Sequence, residues 1–404
     1  MLERPISKVG WTRVAFGDVV RLSKARVVDP EAAGIERVVG LEHIEPGDLR
    51  VRRWGDVVDG TTFTTLFKPG QVLFGKRRAY QRKVAVADFE GVCSGDIYVL
   101  EPANDRLIPE LLPFLCQTDA FFEHAVGTSA GSLSPRTNWT SLANFEFLLP
   151  PIREQQRILR LIEPAQAATD ELRLLHASGH LLFQSLIEEI FKRGLEGEDY
   201  QFADGVKYPK SWPLKPLGEL ASVERGKFSH RPRNLPEFFG GPYPFIQVTE
   251  IANSIGTLAP SASSLSELGV KYSRSFPAGT VLISITGVVL AKTAITDREI
   301  WTTDSIVGIQ PRPLLDARFL EFCLRRLHKR FNSTLATVST TQKNINLETL
   351  RPLKIPCPDI EIQMDVVRRL TAMQQALIDV SARTVYADSV RDSLTREFLF
   401  GPSE

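Results

Sequence analysis

Residues 152–193 of this 404-residue chain form a single helix-forming run, and few folds can use a helix of that length. Apolar or small residues recur at Leu161, Ala165, Ala168, Leu172, Leu175, Gly179, Leu182 and Leu186. Steps of four and three alternate, which keeps one seam on one side of a helix and marks a coiled-coil face. Pro151 can open a helix, and Gly194 stands where a helix C-terminus favours glycine. A run of roughly 40 residues reaches about 60 Å. No compact core needs that span, so the run reads as a spacer. A second run, Ile360 to Phe400, keeps the rhythm at Val366, Leu370, Met373, Leu377, Val380, Thr384, Ala387, Leu394 and Phe398, with Arg391 as its charged interruption. Two such helices bury their seams most simply against each other.

The rest of the chain lies before the first helix or between the two, and it is written twice. Trp11 to Val20 aligns with Trp212 to Leu220, Gly17 falling against Gly218 at a shift of 201. Gly70, Val72, Leu73, Lys83, Ala85 and Ile97 meet Gly279, Val281, Leu282, Lys292, Ala294 and Ile306 at a shift of 209. Phe114, Asn138, Leu142, Pro150 and Gln155 meet Phe322, Asn346, Leu350, Pro358 and Gln363 at 208. The expected fold is therefore α+β: two similar globular domains separated by two long antiparallel helices, with a pseudo-twofold internal repeat. The expected boundaries are residues 1–151 and 212–358 for the domains, 152–193 and 359–404 for the helices, and 194–211 for a connector. Short β-type runs punctuate the first domain, and Ile108 to Glu123 reads as helix despite Pro113. Framework positions agree between the copies. By contrast, Lys76 to Arg82 faces Ile285 to Ala291 with almost nothing in common, and residues 127–137 face 335–345 with only hydroxyl residues shared. Copies that keep a scaffold and change their loops should bind two related but different things.

Composition narrows the function. Acidic and basic residues nearly balance at a formal +1, so no global field draws the chain to nucleic acid or membrane. That counts only mildly against DNA, because partner subunits can supply phosphate-neutralising charge. Cys93, Cys116, Cys323 and Cys357 are scattered, which suggests neither a zinc site nor a disulfide framework and fits a reducing, cytoplasmic setting. No apolar run has membrane-spanning length, and residues 1–10 do not read as a signal peptide.

With the repeat and both helices in place, the chain resembles the specificity (S) subunit of type I restriction–modification systems. The resemblance is carried by Pro150-Pro151-Ile152-Arg153-Glu154-Gln155-Gln156-Arg157-Ile158 at the first helix start, by the degenerate Pro356 to Gln363 at the second, by Trp212 to Leu220, by Tyr243 to Val248 and by Thr340 to Asn346. It covers essentially the whole chain. It implies a subunit without catalytic chemistry, whose two target recognition domains each read half of a bipartite, asymmetric double-stranded DNA sequence. It also implies two modification subunits that methylate adenine with S-adenosylmethionine, and restriction subunits that use ATP and magnesium, with no cofactor in this chain. Arg153, Glu154, Gln155 and Gln363 are the expected partner-binding residues, although Glu361-Ile362-Gln363 replaces the Arg-Glu-Gln of the first helix start.

The residues themselves nominate DNA contacts. Lys76, Arg77 and Arg78 with Tyr80, Arg82 and Lys83 form the densest basic run, able to neutralise phosphates and to read guanine. Read blandly, it is a solvated hairpin. Lys227, Arg231 and Arg233 are the nearest counterpart in the second domain. Thr128, Ser132, Ser134 and Arg136 in one copy, and Thr340, Thr341, Gln342 and Lys343 in the other, occupy equivalent hydroxyl- and amide-rich places. Gly70 to Arg77 nearly spells a phosphate-binding loop, but Arg77 replaces the Ser or Thr that would hold magnesium. His176 and His180 lack a third metal ligand. Neither methyltransferase tetrad, Asn-Pro-Pro-Tyr or Asp-Pro-Pro-Tyr, is present. The expectation is a DNA-recognition and scaffold subunit; the alternative is a non-catalytic protein-interaction scaffold.

Overall fold

The computed structural model describes residues 8–230, 234–287, 289–331, 337–339 and 342–400. The long helices run over Ile152–Arg193 and Ile360–Phe400. Two compact units form, Met1–Leu175 with Val380–Glu404, and His176–Asp379. These units cut across the boundaries expected from sequence, because half of each helix packs into each globular core.

In the first unit, β1 (Thr12–Ala15) pairs antiparallel with β10 (Glu146–Leu149). One four-stranded sheet runs in the order β2 (Val20–Leu22), β9 (Ile97–Pro102), β6 (Val72–Gly75), β7 (Val84–Val86). A second runs β4 (Gly55–Asp56), β3 (Arg37–Val39), β8 (Gly91–Cys93), β5 (Thr65–Phe67), with β3 and β8 parallel. The second unit repeats this order strand for strand. Its first sheet is β14 (Ala221–Arg225), β21 (Ile306–Pro311), β18 (Val281–Ser284), β19 (Thr293–Ile295). Its second is β16 (Ser263–Leu265), β15 (Phe239–Ile246), β20 (Ile300–Thr302), β17 (Arg274–Phe276), again with one parallel pair, β15 with β20.

Strand β6 explains why the near-match to a phosphate-binding loop fails. Val72 to Gly75 is extended and wholly buried, not looped. Val72 and Phe74 face a core shared with helices, while Leu73 faces a separate core shared with Ala85 and Val99. A strand buried on both faces reads as a continuous apolar run rather than an alternating one. The expected helix over Ile108 to Glu123 is broken. Leu112–Gln117 holds Pro113 in its first turn, where a missing N–H costs little, and Thr118 caps a new helix, Asp119–Gly127, by accepting from the Phe121 N–H.

The helices run antiparallel within each unit. In the first, Gln166 meets Arg391 at 3.1 Å and Arg173 meets Asp388 at 2.7 Å. In the second, Phe183 and Ile187 share a core with Val366 and Leu370, and Gly179 lies against Leu377 so closely that a Cβ there would approach it to 2.7 Å. The seam expected on the second helix is buried or half-buried throughout. That expected on the first needs correction, since Ala168, Leu175 and Leu182 are exposed. The buried stripe instead passes through Gln155, Ile158, Ile162, Gln166, Thr169, Phe183, Ile187 and Ile190. Three polar members disguise it.

Gln155 and Gln363 also need correction. Both are fully buried. The Gln155 amide donates to the carbonyls of Arg106 (2.7 Å) and Pro150 (2.8 Å), and its oxygen accepts from the Ile108 N–H (2.8 Å). Gln363 repeats the pattern with Leu314 (2.9 Å), Pro358 (2.8 Å) and Asp316 (2.9 Å). Each pins a helix start to the loop beside it, and with no exposed surface neither can be a partner contact. Arg153 is exposed and Glu154 half-exposed on the first turn.

Candidate nucleic-acid interface

In the first unit two stretches far apart in sequence become one surface. After β6, the chain turns through a short 3-10 turn at Ala79–Gln81, flanked by Arg78 and Arg82, both at φ 55°. Non-glycine residues avoid the left-handed region, and such strain collects at functional loops. The hydroxyl-rich loop comes to meet this turn: Arg77 pairs with Arg136 in a β-bridge, the Arg78 N–H donates to Pro135 O (2.7 Å), and the Thr137 N–H donates to Lys76 O (3.0 Å).

Side chains lock the pair together. Asp96, from the turn before β9, accepts from Arg136 Nε (2.8 Å) and Arg77 Nη1 (3.2 Å). The hydrogen bond from Arg136 is the largest cause holding its carboxyl below the usual range, and Arg77 adds to it. Ser134 Oγ accepts from Arg77 (3.1 Å) and Arg78 (3.3 Å). Lys76 Nζ sits 4.7 Å over the Tyr98 ring. Tyr80 is more than half exposed, Ser132 is exposed, and Leu133 between the two serines is 90% exposed. Anchored guanidiniums still carry spare N–H donors, and an apolar tip beside them suits a groove that offers both base edges and thymine methyls.

Three nominated residues are turned to framework duty. Arg82 donates to Gln117 O (3.0 Å), pairs with Asp119 (2.8 Å) and lies over the Phe122 ring. Lys83 Nζ donates to Leu41 O (2.6 Å). Thr128 Oγ1 donates to His124 O (2.8 Å), finishing a helix. Asp96, which no motif marks, is the group that organises the cluster; one carboxylate at a distant turn leaves no spacing signal.

The second unit repeats the backbone of this site with other side chains. The bridge between Thr286 and Asn344 replaces that between Arg77 and Arg136, and the Ile345 N–H donates to Ile285 O at 3.0 Å. Gly287 (φ 79°) and Ala291 (φ 62°) stand where Arg78 and Arg82 stand. Lys227 is exposed at the end of β14. Arg231, Arg233, Thr340 and Thr341 lie outside the described residues, and of Gln342 and Lys343 only the backbone, in β23 (Gln342–Asn344), is described.

The histidine pair on the first helix stacks with ring centroids 6.5 Å apart. Among the described residues no group of three or more His, Cys, Asp or Glu is placed to hold a metal ion, and no helix is long and apolar enough to cross a membrane.

Comparison with known proteins follows the same division. The family model described as the type I restriction modification DNA specificity domain matches residues 9–173 and again 209–384. The specificity subunit of the Escherichia coli type I restriction enzyme EcoDI is 28% identical over 132 residues, 33% of this chain and 29% of that protein. That of Methanocaldococcus jannaschii MjaIX is 21% identical over 310 residues, 74% of this chain and 70% of its own length. Among solved structures, the type I restriction–modification S subunit from M. genitalium superposes with a TM-score of 0.56 at 14% identity, covering 100% of this chain and 98% of that one. A chain from a type I system studied for complex assembly and conformational transition gives 0.53 at 19%, covering 99% and 100%. These structural likenesses share the fold. Two matches to one family model, each spanning a copy of the repeat, place this chain in the family of type I restriction modification DNA specificity domains.

Proposed function

We propose that the chain reads a bipartite, asymmetric DNA sequence as the specificity subunit of a type I restriction–modification complex, one half-site to each copy. The observation that carries this reading is the duplicated loop pair: one backbone, two unlike sets of side chains. A shared frame positions each copy on duplex DNA by contacts that carry no sequence information, and unlike loops then select unlike bases. Lys76, Arg77, Arg78, Ser132, Ser134 and Arg136 supply the first copy's contacts. Modification and restriction subunits, assembled on the exposed helix faces including Arg153 and Glu154, carry the catalytic activities together with S-adenosylmethionine, ATP and magnesium. This chain contributes recognition and placement, and works in the cytoplasm.

The test is charge reversal at Lys76, Arg77 and Arg78 in the reconstituted complex. Duplex binding should weaken at physiological salt while subunit assembly holds. Unchanged affinity would remove these loops from the interface.

A further inference from the structure

A groove of about 690 Å³ runs along the free edge of β14 in the second unit. Its walls carry five cations, Arg225, Lys227, Arg274, Arg312 and Arg351, against one carboxylate, Glu224, which pairs with Arg274 at 2.9 Å. Four of the five are held in place through backbone carbonyls. Arg225 Nε donates to Asp304 O (2.6 Å), Arg274 Nη1 to Arg225 O (2.7 Å), Arg312 Nη1 to Glu219 O (3.0 Å) and Arg351 Nη2 to Val223 O (3.0 Å). Each bond uses one of five guanidinium donors, so the forks are pre-oriented with donors to spare. Lys227 is exposed and has no side-chain partner among the described residues.

The first unit keeps less of this groove's charge: Lys24 stands where Arg225 stands and Arg26 follows it, but the other four positions are neutral. Matching backbone bonds pair Lys227 with Ala25, Arg274 with Leu66, and Arg312 with Ala103. Arg351, which packs on Gly218, corresponds to Ala143, which packs on Gly17. A device needed merely to cover a sheet edge would appear in both copies. Instead most of the positive charge has moved. The first copy carries it in the loop pair, as Lys76, Arg77, Arg78 and Arg136, where the second has Ile285, Thr286, Gly287 and Asn344. The groove also adjoins that less basic loop pair: Asp304, which anchors Arg225, precedes Ser305, whose carbonyl accepts from the Ile285 N–H.

We propose that this groove holds the sugar–phosphate backbone of DNA beside the half-site read by the second copy, an inference that rests on the DNA-reading function above. Duplex DNA presents one negative charge per about 1.7 Å of axis, a density that five clustered cations match and scattered protein carboxylates do not. The second copy thus grips DNA beside its reading loops, whereas the first grips with the loops themselves.

The test measures binding of the full chain, assembled with its modification subunits, to a random-sequence 40-base-pair duplex across a salt series. Lys227→Glu and the double variant Arg225→Ala/Lys227→Ala are compared with the unaltered protein. The double variant should bind about 10-fold more weakly at physiological salt, and its slope of log affinity against log salt should fall by about 1 for each phosphate no longer neutralised. Assembly should be unchanged. Lys227→Glu, which breaks no internal bond, should show the same direction. An unaltered slope in both variants would overturn the proposal. So would loss of assembly with DNA binding intact, which would mark the groove as the seat of an acidic protein surface. Absence of salt-dependent binding by the unaltered complex would instead sink the DNA-reading function itself.

Discussion

The two copies solve one packing problem with opposite chemistry. In the first unit the helix pair, besides its apolar contacts at Ile158, Ile162 and Phe398, meets the globular part through an ionic cluster. Arg391, 1% exposed, contacts Asp388 (2.9 Å), Gln166 (3.1 Å) and Gly47 O (3.3 Å), while Asp170 and Asp48 bind Arg52. In the second unit the position of Arg391 is taken by Phe183, stacked edge-on against Phe322, that of Asp170 by Ile378, and that of Asp48 by Thr257. The frame beneath is the same: Gly47 and Gly256 turn at φ 79° and 78°. Apolar packing is the stronger glue, since burying ions costs desolvation that pairing scarcely returns. The ionic solution adds discrimination. A chain with two similar domains and four helix halves could dock a half on the wrong domain, and a buried Arg391 facing the site around Phe183, where Arg325 already pairs with Glu321 at 2.7 Å, would be left without its carboxylates.

Substitutions can break this comparison. The largest effect is expected from Arg391→Ala, which empties a buried site and removes its bonds to Gln166, the Gly47 carbonyl and half-buried Asp388, and should cost about 3–5 kcal/mol in denaturant unfolding. Phe183→Ala should cost a similar amount through a cavity, about 3–5 kcal/mol. The two differ under exchange: Phe183→Arg should be far worse than Phe183→Met, whereas a mild loss would show that the second site tolerates charge and that the ions specify nothing.

Next in size is a point where the copies should agree. Gln155→Ala and Gln363→Ala each leave buried backbone groups unpaired, and each should lower stability by about 2–3 kcal/mol, without a specific effect on assembly. Unequal losses would undo the claim that both helix starts are pinned alike.

A smaller, pH-dependent effect separates the loop pairs. Because Asp96 has its carboxyl held low by Arg136 and Arg77, its contribution is present above the ordinary aspartate pKa and lost as pH falls through the lowered value. Asp96→Asn should therefore loosen amide protection around residues 76–78 at neutral pH, with the gap from the native protein closing in acid. A gap that widens on acidification would contradict the sign.

The repeat, the helices and the pairing of the loops by position are readable in the sequence, because each depends on spacing. What stays hidden depends on three-dimensional convergence or on polar burial. Thr169 and Gln166 line the first seam, so a search for apolar periodicity slides to Leu175 and Leu182. Gln155 and Gln363 match across the repeat for a structural reason, although the motif around them reads as a partner contact. Arg78 and Arg82 show no kinship to Gly287 and Ala291 until their left-handed backbones coincide. Arg225, Arg274, Arg312 and Arg351 never form a run, whereas Lys76 to Arg78 do.

Replacing residues 1–150 with the corresponding domain of another specificity subunit, then mapping methylated adenines across a host genome, tests the division of labour most directly. One half of the recognised sequence should change and the other should stay as it was. Simultaneous change in both halves would contradict two independent readers on one frame.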